Sequence, residues 1–122
     1  MVFVTADSCR LQLEQLSRML VSTFPGSTIY RHTDLRQVSH VVFNHKVEAV
    51  FLEAVTDKIN SFDFMRMLHR QNPELPVFII AKAEGFREEA KAAGARGCFI
   101  LPDEEPQLLE AIRLAINKEN VL

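Results

Sequence analysis

Val47-Glu48-Ala49-Val50-Phe51-Leu52-Glu53 is the stretch that decides how this chain folds. Ala49 to Leu52 is apolar at every position, with no alternation. A strand covered on one face alternates; a strand covered on both does not, and such strands belong to parallel sheets sandwiched between helices. The run ends on a carboxylate, Glu53, which places a charged group at the C-terminal end of a buried strand. Working outward, Pro76-Val77-Phe78-Ile79-Ile80 is a second run of this kind and the clearest in the chain. Gly97 to Leu101 reads as another, Val2 to Thr5 as a fourth, and Thr28 to Tyr30 as a weaker fifth.

Amphipathic stretches separate these runs. A helix is expected from about Cys9 to Thr23, followed by a turn at Phe24-Pro25-Gly26. Asp34 is placed to cap a helix carrying Leu35, Val38 and Val42 at helical spacing. Ser61 is read as the cap of a third helix that buries Met65 and Leu68 and stops at Asn72-Pro73. A short helix from Phe86 to Ala93 ends on Gly94, a residue suited to the left-handed position after a helix. Pro106 lies near the first turn of a last helix with Leu108, Leu109, Ile112, Ala115 and Ile116 on one stripe. Strict alternation of strand and helix implies a doubly wound α/β domain. In such domains the working residues sit at the C-terminal strand ends, here Thr5 to Ser8, Glu53 to Asp57, Ala81 to Glu84 and Leu101 to Asp103.

The chain has 122 residues, 48% apolar and 25% charged, with a net charge of −2. That size suits one core, so residues 1–122 are expected to form one domain, either whole or the first part of a longer regulator. The charge argues against a sequence-independent nucleic-acid or membrane surface, and no apolar run approaches the length of a membrane span. The start Val2-Phe3-Val4 lacks a signal-peptide pattern. Cys9 and Cys98 have neither metal nor disulfide spacing. A cytoplasmic protein is expected. The four histidines, His32, His40, His45 and His69, are read as residues of loops or helix surfaces.

Three segments carry a family resemblance. Leu75-Pro76-Val77-Phe78-Ile79-Ile80 resembles the fourth strand of response-regulator receiver domains with its preceding turn. Ala92-Ala93-Gly94-Ala95-Arg96-Gly97-Cys98-Phe99-Ile100-Leu101-Pro102 resembles the stretch that closes their fourth helix and forms their fifth strand, and is the most specific of the three. Glu53 to Ser61 keeps the spacing from the phosphoacceptor to the residue that opens the third helix. The resemblance implies a flavodoxin-like five-stranded sheet of order 2-1-3-4-5 and a role in two-component signalling.

It also implies a degenerate site. Glu53 stands at the phosphoacceptor position, where aspartate is the family's residue. The added methylene shifts the oxygens, and a misplacement of about 1 Å can cost about 100-fold in rate. The acidic pair that holds Mg²⁺ falls on Thr5-Ala6 or on Ala6-Asp7; both registers stay open. At most Asp7 remains, so the site on Asp7 and Glu53 is at best a weak one for Mg²⁺. Asp7 also reads as a helix cap, with Ser8 as competitor. Ala81 replaces the hydroxyl residue, Leu101 replaces the lysine, and Cys98 replaces the switch aromatic, with Phe99 beside it. Pro102 matches, which implies a cis Leu101–Pro102 bond. The segment from Ala81 to Gly94 is shorter than the family's, so a short or displaced fourth helix is expected.

The resulting expectation is a pseudo-receiver with no cofactor and no enzymatic activity. It would meet a protein partner or a second copy through the face of the fourth helix, fifth strand and fifth helix, with Phe86, Arg87, Cys98, Phe99 and Arg113. Two alternatives stand beside it. One is an active regulator that accepts a phosphoryl group at Glu53 or Asp57 with Mg²⁺. The other is a small enzyme using Cys9 near a helix N-terminus, where a thiol is easily activated.

Overall fold

The apolar runs form the strands and the amphipathic stretches form the helices, in strict alternation. The computed structural model describes residues 1–54 and 60–120. The elements are β1 (Val2–Ala6), α1 (Arg10–Thr23), β2 (Thr28–His32), α2 (Arg36–Asn44), β3 (Ala49–Glu53), α3 (Ser61–Gln71), β4 (Val77–Ala81), α4 (Arg87–Ala93), β5 (Gly97–Ile100) and α5 (Glu105–Asn120). All strand pairs are parallel, and the order is β2-β1-β3-β4-β5. The flavodoxin-like architecture implied by the resemblance is the one observed.

The pleat divides the core in two. Val4, Val50, Leu52, Val77 and Ile79 face a layer built by α2, α3 and α4, where Val38, Met65, Leu68 and Ala90 meet them. Phe3, Phe51, Phe78 and Ile80 face the other layer, against Leu16 and Leu20 of α1 and Leu108 and Ile112 of α5. A row of aromatic rings crosses the sheet on this second face. Phe24 lies 5.6 Å from Phe3, Phe3 6.0 Å from Phe51, Phe51 5.5 Å from Phe78, and Phe78 6.3 Å from Phe99. The last ring folds back over Gly97, where a Cβ would stand 2.5 Å from the ring edge. Glycine is therefore the residue that leaves space for Phe99 in this position.

Some local expectations need correction. The cap of α3 is Asn60 rather than Ser61: its side-chain oxygen accepts from the Phe62 and Asp63 N–H groups. Ser61 is the buried first residue of the helix. Asn60→Ala should lower stability by about 1 kcal/mol, read as a shift of the urea midpoint with unchanged slope. His32 ends a strand rather than occupying a loop, with Nδ1 3.0 Å from the Gln37 side-chain oxygen. His69 is not a plain surface residue; its Nε2 lies 3.0 Å from the Leu75 carbonyl oxygen. The fourth helix is short, seven residues, and ends on Gly94 at φ 104°.

Candidate functional site

β1 and β3 run side by side, with Ala6 level with Leu52. The next residues on each strand, Asp7 and Glu53, therefore emerge together at the C-terminal edge of the sheet. Both are nearly buried, 6% and 8% exposed. The chain turns at once into α1, and the Asp7 Oδ1 accepts from the Cys9 N–H at 2.8 Å, tightening the turn that opens the helix. The Ser8 N–H donates to Glu53 Oε1 at 3.0 Å, and the Ser8 hydroxyl donates to Oε2 at 3.1 Å. One serine thus occupies both oxygens of the carboxyl group at the strand end.

The surroundings decide the protonation of Glu53. Burial comes first and the Asp7 carboxyl beside it second; the two Ser8 donors oppose them, and the Glu53 pKa is pushed up to about 7. Desolvation and a like charge both penalise the carboxylate form. Both push the Glu53 carboxyl toward its protonated form, so the pocket does not favour a permanent negative charge at this place.

The cleft above the pair has a volume of about 250 Å³ and is lined by Asp7, Ser8, Glu53, Ala54, Ile80, Ala81, Lys82, Ala83 and Phe86. Ala81 offers a methyl group where the resemblance asks for a hydroxyl. Leu101 is partly buried against the α1–α5 layer and brings no charge. The Leu101–Pro102 bond is cis. Cys98 is buried in the other layer, and burial pushes its thiol pKa up. Cys9 is the half-buried residue that precedes α1 and makes no side-chain cap bond. Asp57 lies outside the described residues. Among the described residues no group of three or more His, Cys, Asp or Glu side chains converges to hold a metal. Of the described residues lining the cleft, Asp7 and Glu53 bring the carboxyl groups, two ligands for an ion that takes six oxygens, and both already accept hydrogen bonds, from Cys9 and from Ser8.

The residues expected on a partner face are divided by the structure. Phe86 packs against the core and lines the cleft. Arg87 is the centre of a polar cluster: it donates to both Glu84 oxygens at 2.9 and 2.8 Å, to Glu104 at 2.7 Å and to the Cys98 carbonyl oxygen at 2.9 Å. Glu104 in turn accepts from the Ile100 N–H at 2.8 Å. Arg87 holds the Glu84 and Glu104 carboxyls below the usual range. Arg113 is exposed on α5. Phe99 is half-buried at the end of the aromatic row. Sequence reasoning missed the Ser8–Glu53 contact and the role of Glu104. The Glu84-x-x-Arg87 spacing was a signal for one part of the cluster.

No protein-family model matches the chain, and no curated protein matches it in sequence. Solved structures do. A response regulator receiver domain protein from Clostridium thermocellum superimposes with a TM-score of 0.85 over 98% of this chain and 96% of its own, at 18% identity. A two-component response regulator from Clostridium difficile gives 0.86 over 99% of both chains, at 14% identity. The signal receiver domain of an HD domain-containing protein from Pseudomonas fluorescens Pf-5 gives 0.84 over 98% and 96%, at 20% identity. The fold is that of response-regulator receiver domains. Within this receiver fold the Asp7–Glu53 cleft lies beside β1 and β3, where the strand order reverses and doubly wound proteins place their ligands. Among the described residues no helix is long and apolar enough to cross a membrane.

Proposed function

We propose that this chain is a receiver-type signalling module with a degenerate phosphorylation site, acting by phosphorylation-independent protein–protein contact in a two-component or phosphorelay system in the cytoplasm. The observation that supports it most directly is the occupation of both Glu53 oxygens by Ser8. A phosphoacceptor needs a free, ionised oxygen aimed at the donor. This one is hydrogen-bonded twice and protonated to near neutrality. The cleft adds Ala81 where a phosphoryl oxygen would need a donor, and an arriving phosphoryl group would be costly to bury without donors and cations around it. Lys82 lines the cleft beside Ala81, but the position before Pro102 carries Leu101. The module has no enzymatic role in this reading, and its output is a surface presented to a protein partner. On the α4–β5–α5 side that surface comprises Phe99, Arg113 and the Arg87 cluster.

Incubation with acetyl phosphate and Mg²⁺, followed by intact-mass measurement, should give no phosphoryl adduct. Beryllofluoride with Mg²⁺ should leave the amide signals of Asp7, Glu53, Ala81 and Leu101 unmoved. An adduct at Glu53 or Asp57, or shifts spreading from the cleft to Cys98, would establish an active switch instead and overturn the proposal.

A further inference from the structure

The two edges of the sheet are finished differently. On β5 the groups facing away from β4 are spoken for: the Cys98 carbonyl accepts from Arg87, the Ile100 N–H donates to Glu104, and these two side chains are joined to each other. They stand where a sixth strand would pair. β2 has no such cover. Thr28 donates to Met1 and His32 accepts from Asp7, so the even-numbered residues bond to β1. Strand alternation then turns the N–H and C=O of Ile29 and Arg31 outward, and among the described residues no hydrogen bond involves these outward groups. The strand has five residues, with no proline to blunt it and with Arg31 as its exposed charge. An open edge of this kind is a template for another strand.

We propose that the β2 edge is a homodimerisation surface, on which a second copy of this chain lays its own β2 antiparallel about a two-fold axis at Tyr30. The register supports a second copy because the strand complements itself. Ile29 of one copy pairs with Arg31 of the other and exchanges both of its hydrogen bonds with it. Thr28 falls opposite His32, and Tyr30 meets Tyr30 at the close, non-hydrogen-bonded position, about 4.5 Å between Cα atoms. The strand's arginine therefore faces isoleucine and not another arginine, which avoids a like-charge pair, and a favourable aromatic pair sits on the axis. The flanks add apolar surface. A groove of about 560 Å³ runs between α1 and β2, lined in part by Ser17, Val21, Ile29 and Arg31. Val21 of α1 and Phe43 of α2, 45% and 59% exposed, belong to the two helices that contact β2.

The test is sedimentation equilibrium of the intact chain over a wide concentration range, with amide hydrogen exchange on the same samples. The expected result is a monomer–dimer equilibrium in which the Ile29 and Arg31 amides become protected as the dimer forms. Arg31→Pro removes an outward N–H and no bond within the protomer, so it should weaken dimerisation by about tenfold or more. A monomer at every concentration overturns the proposal, as does a dimer in which these two amides exchange freely. A folded Arg31→Pro variant that dimerises as well as the parent overturns it too. Should that variant fail to fold, the exchange pattern of the unsubstituted chain decides alone. Protection of the same amides only on adding a foreign extended peptide assigns the edge to a different partner and also overturns the proposal.

Discussion

Replacing Glu53 by glutamine is expected to make the fold more stable at pH 8, by up to about 3 kcal/mol, and to leave it nearly unchanged at pH 4. The parent Glu53 is pushed up to about 7 in the folded chain, chiefly by burial and by Asp7, against an ordinary value of 4.5. Between these values the folded state keeps a proton that the unfolded state has released. Stability from this group is therefore fully present below pH 4.5, declines as pH rises toward 7, and stays at its lower level above 7. Glutamine stands in for the protonated acid at every pH. Its carbonyl oxygen still accepts from the Ser8 N–H, and its amide faces Asp7 as a donor. Urea unfolding at pH 4, 5, 6, 7 and 8 should show the parent losing stability relative to the variant across the window from 4.5 to 7. Parallel curves for the two proteins would mean that Glu53 ionises normally, and would remove the electrostatic half of the argument about the cleft.

Phe51→Ala should cost about 3–5 kcal/mol, the range for emptying a large aromatic from a core. Phe51 is 1% exposed and sits in the middle of the ring row, 5.5 Å from Phe78 and 6.0 Å from Phe3. Neither backbone can close the gap, because β3 is hydrogen-bonded on both sides, to β1 and β4. The loss should appear as a lower urea midpoint. It should also reach the cleft: Glu53 is two residues further along the same strand, so the Ser8 amide signal should shift. A cost below about 1 kcal/mol would mean that the row rearranges freely and that β3 does not rigidly position Glu53.

The sheet was legible because β3 and β4 are apolar on both faces, a property of composition alone. The short α4 was legible from the few residues between Ala81 and Gly94. Caps were less so: Asn60 and Ser61 are both good cap residues, and only backbone geometry chooses between neighbours. At the cleft, the type of each residue could be read, including Glu53, Ala81 and Leu101. The Ser8–Glu53 bonds join positions 45 residues apart, and no periodic signal carries a contact of that kind. The raised Glu53 pKa is further removed still, since it arises from burial and a neighbour that only the packed strands create. The Arg87–Glu104 pair spans 17 residues and two elements, which is why Arg87 was read as a surface residue open to a partner.

That same pair bears on how far the protein can grow. A sheet with two live edges is a monomer in the polymer sense, able to add units at both ends without limit, as cross-β fibrils do. With Arg87 and Glu104 seated on β5, the edge-to-edge valency of this chain is at most one. Whatever joins at β2, the resulting sheet, when both members are this chain, is bounded on each side by a β5 already occupied by its own side chains. Assembly through strand edges stops at two, and the arginine–glutamate pair serves as a terminator of chain growth as much as a tie between α4 and the turn that leads into α5.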